Sequence, residues 1–117
     1  MRGCECRRMS DDEVVLHLDP GACRFHTKIK GRPDGMKVVI HMESDCPYVK
    51  KCDELMREIT LEEIVQMPMG ENRAYATMGK VLKHSVCPVP MAYLKVAEAA
   101  MGLGLQKDIK AEYHKKA

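Results

Sequence analysis

Two cysteines of this 117-residue chain come directly before a proline, in the segments SDCPYVKKC and HSVCPVP. Proline is favoured at the first position of a helix, so Cys46 and Cys87 are each predicted to stand at a helix start. The free N–H groups and the positive dipole end at such a start favour the thiolate form of cysteine. Because a thiolate can ligate a metal or attack an electrophile, both residues are candidate functional residues.

A third cysteine, Cys23, is predicted to join them through strand pairing. The turn signal RPDG can close a hairpin in which Gly31 lies opposite Met36. That register sets Cys23 opposite Ser44 and within the roughly 7–8 Å diagonal reach of Cys46. The three cysteines are therefore predicted ligands of a metal ion such as zinc or of an iron–sulfur cluster, although their spacing matches neither a zinc finger nor a ferredoxin run.

Histidines supply further candidate metal ligands. His84 comes three residues before Cys87 and can add a nitrogen ligand if the turn curls back, or it can simply interact with the dipole at a helix end. The register above places His26 opposite His41 on the outward face, with His17 one strand over. A cross-strand imidazole pair can bind Zn²⁺ or Ni²⁺, and the alternative is three solvated histidines on an open sheet face.

The remaining three cysteines are expected to have other places. Cys52 falls on the apolar face of the helix that follows Cys46, which predicts a core position. Cys4 and Cys6 form CEC in a polar leader, where they could carry a fourth ligand, but we expect no role for them.

Hydrophobic periodicity predicts the elements that would position these residues. Alternation indicates strands at residues 14–18, 23–30, 36–43 and 107–113. Helical spacing indicates helices at residues 47–59, 61–66, 72–82 and 88–101, the second with a capping-box start. The predicted fold class is α+β: a small antiparallel sheet, made of a three-stranded meander plus a C-terminal strand, with about four helices on one face.

Composition indicates one folded domain, which we assign to residues 13–117 behind a flexible leader, residues 1–12. The chain has 45% hydrophobic and 31% charged residues, as is ordinary for a globular protein. Its net charge is only +2, and one Phe, four Tyr and no Trp offer little for base stacking, so no nucleic-acid partner is expected.

The sequence also predicts where the protein works. No segment approaches the roughly 20 apolar residues of a membrane span, so no membrane partner is expected. The leader has no apolar stretch after its arginines, unlike a signal peptide, and we therefore expect a cytoplasmic protein. In a reducing compartment, six cysteines indicate metal binding, redox chemistry or burial rather than a disulfide framework.

Three segments together resemble a known family. PGACRF, SDCPYV and HSVCPVPMAYLKVAEAAMGL are similar to motifs of a family of small proteins of unknown function from anaerobic bacteria and archaea. The resemblance covers roughly residues 13–113 and includes the same three cysteines, Cys23, Cys46 and Cys87. The family pattern has glycine where this chain has Arg24. The resemblance implies shared motifs, an anaerobic setting suited to oxygen-sensitive thiolates and clusters, and no particular activity.

Three functions remain open on the sequence alone. The first is a metal or iron–sulfur binding protein with Cys23, Cys46 and Cys87 as ligands. The second is a thiol redox protein or enzyme, in which Cys46 is the nucleophile and Cys87 or Cys23 the resolving thiol, although no CxxC motif is present. The third is an interaction module with packed thiols, using the Met-rich segment MPMGEN or pairing two copies through the open sheet face.

Overall fold

The computed structural model describes residues 13–114, and the predicted leader with Cys4 and Cys6 lies outside them. Four antiparallel strands form one sheet in the order β1-β2-β3-β4. The strands are β1 (Val14–Leu18), β2 (Thr27–Asp34), β3 (Lys37–Ser44) and β4 (Glu58–Thr60). The helices are α1 (Pro47–Leu55), α2 (Leu61–Ile64), α3 (Arg73–Gly79) and α4 (Val89–Ala100), with a 3₁₀ turn at Met69–Glu71. The α+β prediction is confirmed.

The fourth strand is not the one that the sequence predicted. Residues 105–114 run without strand structure, and β4 instead comes from a segment that was assigned to the end of the first helix. The helix ends at Leu55, and Ile59 then lies beside Val38 as a fully buried strand residue. Isoleucine is favoured in a strand that buries one face, and this burial outweighs the helical spacing of the sequence. In the C-terminal segment, by contrast, Ile109 is half-exposed.

The register of the β2–β3 hairpin differs by four residues from the prediction. Gly31 lies opposite Ile40 rather than Met36, and Asp34 pairs with Lys37. The turn therefore consists of Gly35 and Met36 alone. Gly35 has φ +68 and Met36 has no positive φ, which is the pattern of a tight two-residue hairpin turn with glycine first.

The RPDG segment was wrongly assigned to the turn because its proline lies within a strand. Pro33 pairs with Val38, but β1 reaches only as far along β2 as Gly31. Among the described residues, Pro33 therefore has no partner on its β1 side, and this is where a sheet tolerates a residue that lacks an N–H.

The shift of four residues is even, so the inward and outward faces remain as predicted. Ile29, Val38, Ile40 and Met42 point into the core, and α4 packs over β1 and β2 while α1 packs over β3. The outward face carries ion pairs from Glu43 to lysines of β2. The sheet therefore has one face covered by helices and one charged face.

Local signals set the helix starts close to the prediction, whereas α1 and α3 end at Leu55 and Gly79, before the predicted residues 59 and 82. Thr60 and Glu63 form the predicted capping box at the start of α2, with hydrogen bonds of 3.2 Å and 3.0 Å. Asn72 caps α3 by accepting a hydrogen bond from the Ala74 N–H at 2.9 Å. Within residues 13–114, no helix has the length and apolarity that crossing a membrane requires.

Gly31 of β2 packs against Val96 of α4 with no room for a side chain. A Cβ atom at this position would lie 2.7 Å from Val96 Cγ1 and 3.3 Å from Val38 Cγ1. We expect Gly31→Ala to lower the free energy of unfolding by about 1–3 kcal/mol through overpacking. The matched control is Gly79→Ala, whose added Cβ meets no atom within 4 Å among the described residues. Urea denaturation measures both, and equal stability of the two variants would contradict the tight packing.

Candidate functional site: a cavity lined by three cysteines

The predicted cysteine trio lies around one cavity of about 570 Å³, called here the thiol cavity. Cys23, Cys46 and Cys87 all line it. Three segments build its walls: the loop between β1 and β2, the start of α1, and the connection from α3 to α4. The structure thus gathers three thiols that are far apart in sequence.

Cys23 reaches the cavity by a different route from the predicted one. It does not belong to β2, because the residues from Asp19 to His26 form a loop and Thr27, not Cys23, lies opposite Ser44. A turn closed by the Arg24 N–H and the Gly21 carbonyl, 3.1 Å apart, holds Cys23 in an exposed position. The prediction of a strand at Cys23 was wrong, although its proximity to the other two cysteines follows from the fold of this loop.

The residue after Cys23 has a backbone conformation that favours glycine. Arg24 has φ +64, which lies in the left-handed region where a side chain costs roughly 1–2 kcal/mol. The His26 N–H donates to the Arg24 carbonyl at 3.1 Å and helps to hold this conformation. The glycine that the resembled motif has at this position would fit the same loop without that cost.

Cys46 stands at the start of α1, as predicted. It is the N-cap residue, with Pro47 at the first helical position. Its N–H donates to Ser44 Oγ at 3.1 Å and its carbonyl accepts from the Lys50 N–H at 3.0 Å. The Cys46 side chain makes no capping hydrogen bond within α1 and is partly exposed to the cavity.

Cys87 differs from this arrangement, and the prediction that its thiolate is favoured was wrong. Helix α4 starts at Val89 with Pro88 as N-cap, so Cys87 stands one residue before the cap. Burial raises the pKa of Cys87 above its ordinary value; a hydrogen bond from the Val89 N–H acts in the opposite direction, and nearby Cys23 and Cys46 add to the rise. The Cys87 thiol is therefore protonated at neutral pH.

Cys52 is part of the core, as predicted, but it lies close to the site. It is fully buried on α1. Burial raises the pKa of Cys52 to about 11, and the nearby Cys87 and Cys46 contribute to the shift. Its thiol is thus kept protonated behind the cavity wall.

These raised pKa values predict a loss of stability at alkaline pH. Cys52 and Cys87 ionise at a higher pH in the folded chain than in the unfolded chain, as does Tyr93, whose pKa is raised by burial. The contribution of Cys52 is fully present below the ordinary thiol pKa of about 8.5 and is lost as the pH rises towards 11, because the unfolded state ionises first; that of Tyr93 is lost at a higher pH. Urea midpoints at pH 8, 9 and 10 should fall in that order, with a smaller fall in Cys52→Ala. A flat profile would contradict the burial of these groups.

The predicted histidine pair is not a cross-strand pair. Lys30, not His26, lies opposite His41. Both histidines nevertheless line a second cavity, the polar cleft, together with Glu43 and Asp53. His41 Nδ1 lies 3.2 Å from Asp53 Oδ1 and its Nε2 lies 3.6 Å from Glu43 Oε2, so two carboxylates flank this ring.

His84 lines the thiol cavity, and the turn before Cys87 does curl back. The contact that closes the turn is a backbone one, in which the Cys87 N–H donates to the His84 carbonyl at 3.1 Å. Across residues 13–114, no group of three or more His, Cys, Asp or Glu side chains is arranged to hold a metal ion. That finding covers both the polar cleft and the thiol cavity.

Sequence reasoning missed the apolar walls of the thiol cavity. Phe25, Tyr48 and Val86 line it and are 43%, 40% and 86% exposed. The Lys83 ammonium lies 5.6 Å from the centre of the Tyr48 ring. The signal was present as apolar residues beside each of the three cysteines, but only the folded chain shows that they share one surface.

The comparisons with known proteins identify a family and no activity. No curated protein and no solved structure matches the chain. The profile of a family described as a family of unknown function, DUF6951, matches residues 14–113. That range contains all four strands, all four helices and the three cysteines of the thiol cavity, and the chain therefore belongs to the DUF6951 family of unknown function.

Proposed function

We propose that the protein binds a metal centre in the thiol cavity, with Cys23, Cys46 and Cys87 as ligands. The observation that carries the proposal is that three thiols from separate segments line one cavity of about 570 Å³. Soft thiolate ligands select zinc, Cu(I) and iron–sulfur clusters over harder cations. Plain packing would not require three cysteines to share a cavity surface.

An iron–sulfur cluster and a zinc ion would use the same three thiols at different spacings. Thiolates on one zinc ion, with Zn–S near 2.3 Å, lie only about 3.8 Å from one another. In a [4Fe–4S] cluster each cysteine binds a different iron, so the ligands lie farther apart than they do on one ion. His84, on the same cavity, is the candidate for a nitrogen ligand.

Metal and sulfide analysis of protein purified without oxygen tests the proposal. We expect iron with acid-labile sulfide, or zinc, in fixed ratio to the chain. Replacing any one of the three ligands should remove at least half of the bound metal, because three ligands hold a centre far better than two. The variants to compare are Cys23→Ser, Cys46→Ser and Cys87→Ser. The double variant Cys4→Ser/Cys6→Ser is the matched control and should keep the metal.

Two results would contradict the proposal, provided that the variants are folded. Far-ultraviolet circular dichroism must show that each serine variant is folded. A folded triple variant with as much metal as the parent would exclude the three cysteines as ligands. A parent chain that stays metal-free after anaerobic reconstitution with iron and sulfide would exclude the metal centre itself.

A thiol-dependent redox protein or enzyme is the second candidate function, and the position of Cys46 favours it. Cys46 is partly exposed to the cavity at a helix start, and Cys23 and Cys87 line the same cavity as candidate resolving thiols. Alkylation rates between pH 5 and 9 test it. A nucleophilic Cys46 would be alkylated faster than the more exposed Cys23. Slower reaction of Cys46 at every pH would exclude this role.

The cellular setting and the partner complete the proposal. Reduced thiols around a cavity fit a cytoplasmic and anaerobic environment, where such groups persist.

A homodimer through the outward sheet face would bring two charged surfaces together, since Lys28, Lys30 and Glu43 form ion pairs there. Sedimentation at rising salt concentration tests that dimer. The corrected register removes the argument for a separate His26–His41 metal site.

A further inference from the structure

The thiol cavity has a second chemical character that the three cysteines do not explain. Large apolar residues that are exposed together usually mark a binding site. Phe25, Tyr48 and Val86 come from three different segments and are exposed around this one cavity. An apolar shell can shield a metal centre from water, but aromatic side chains exposed around an open cavity also offer a surface to a ligand.

The size of the cavity is that of a small-molecule site. Its volume of about 570 Å³ falls within the roughly 300–1,000 Å³ typical of ligand pockets, which are mostly apolar with a few polar groups. Leu82, Val49 and Val89 form its inner wall beside the cysteines. An apolar body of one or two fused rings therefore has both room and matching surface.

The charge of the residues that line the cavity favours an anionic ligand over a cationic one. Among the described residues that line the cavity, Lys83 carries a positive charge at neutral pH, and there is neither an aspartate nor a glutamate. Its ammonium lies over the Tyr48 ring, 5.6 Å from the ring centre, so it is held at the apolar rim rather than away from it. A ligand that placed a cation there would meet repulsion, and an anion would meet attraction.

The helix starts at the cavity act in the same direction. Both α1 and α4 begin there without a side-chain cap and without an acidic residue in the first turn. Their positive dipole ends add to the field of Lys83. This contribution supports the sign of charge but would not define a site without the cavity, the apolar rim and Lys83.

We propose that the thiol cavity binds a small organic anion with an apolar, ring-containing body, its anionic group at Lys83 and its body between Phe25, Tyr48 and Val86. The inference goes beyond metal binding, because it rests on the residues around the thiols and not on the thiols themselves.

Two probes of equal size and opposite charge test the inference. Naphthalene-2-carboxylate and protonated 2-(aminomethyl)naphthalene are titrated calorimetrically into the full-length, reduced, metal-free protein at low salt. We expect the carboxylate to bind at least about tenfold more tightly than the ammonium compound. Equal affinities would show non-selective apolar binding and overturn the inference, and so would the absence of binding by both.

Three variants place the ligand in this cavity. Lys83→Met should weaken carboxylate binding by about fivefold, as expected for a partly exposed ion pair. Phe25→Ala should weaken both probes, because it removes apolar surface. Lys80→Met is the matched control, since Lys80 is an exposed lysine three residues before Lys83 and does not line the cavity. A Lys83→Met protein that binds the carboxylate like the Lys80→Met protein would overturn the placement.

The same titrations separate this inference from the proposed function. Selective carboxylate binding by a protein that never takes up metal would overturn the metal proposal and leave the inference standing. Metal uptake by a protein that does not distinguish the two naphthalene probes would do the reverse.

Discussion

Replacing Asp53 by alanine should lower the free energy of unfolding by about 3 kcal/mol. The Asp53 carboxylate is only 6% exposed and accepts a hydrogen bond from the Met42 N–H at 2.8 Å. It also lies 3.2 Å from His41 Nδ1 and 3.1 Å from Arg57 Nη2. Removing it leaves a buried N–H without an acceptor, which costs roughly 1–3 kcal/mol, and ends two charge-assisted contacts.

The conservative variant separates these contributions. Asp53→Asn keeps an amide oxygen for the Met42 N–H but loses the negative charge that faces Arg57. We expect the free energy of unfolding to fall by about 1 kcal/mol. This is closer to the loss of a partly exposed ion pair than to the cost of leaving a buried N–H without an acceptor.

Glu54→Ala is the matched control for Asp53→Ala. Glu54 is the next residue on α1, is exposed, and forms a single ion pair among residues 13–114, with Lys51 at 3.9 Å. Its loss should change the free energy of unfolding by less than about 0.5 kcal/mol. Urea denaturation measures the free energy of unfolding of all three variants. An Asp53→Ala protein as stable as Glu54→Ala would contradict the stabilising role of the Asp53 carboxylate.

The Asp53 contacts also matter for the thiol cavity. They join α1 to β3, and α1 carries both Cys46 at its start and Cys52 on its buried face. A weaker connection between helix and sheet would change how far Cys46 lies from the other cysteines. The Asp53→Ala variant should therefore bind metal less well than Glu54→Ala, even though Asp53 does not line the thiol cavity.

Residue pattern predicted which side chains face inward, because alternation fixes the faces of a strand without fixing its register. Thr27 and Ile29 are buried and Lys28 is not, as alternation requires. The register depends on where the turn closes, and the RPDG signal placed the turn at residues 32–35 instead of at Gly35 and Met36. Only the left-handed Gly35 in the folded chain selects the two-residue turn.

Residue pattern predicted which three cysteines lie at the site but not how readily the Cys87 thiol ionises. Proline after Cys46 did mark a helix start, because that position requires no N–H. The same signal at Cys87 was one residue off, since Pro88 is itself the N-cap. Cys87 is partly buried, and the desolvation of its thiol outweighs the hydrogen bond from the Val89 N–H at the start of α4, so the pKa of Cys87 is raised. Spacing along a sequence does not report burial of this kind.

Binding of a metal centre should release protons and should strengthen steeply as the pH rises. The raised pKa of Cys87 means that a metal must displace a proton from this thiol at neutral pH. Below the pKa, each ligand that is still protonated contributes about tenfold in affinity per pH unit. Zinc is the practical probe, with its affinity measured by chelator competition between pH 6.0 and 7.5.

The slope of that profile identifies Cys87 as a ligand. Cys87→Ser should flatten it by about one logarithmic unit per pH unit, because one fewer proton is displaced. Cys52→Ala is the matched control: Cys52 has an even higher pKa, near 11, but does not line the cavity, so the slope should stay unchanged. If Cys52→Ala flattens the profile and Cys87→Ser does not, the metal binds behind the cavity wall and the assignment of ligands is wrong. If neither variant changes the slope, zinc binds elsewhere on the chain, since a metal held by the Cys87 thiolate cannot bind without releasing its proton.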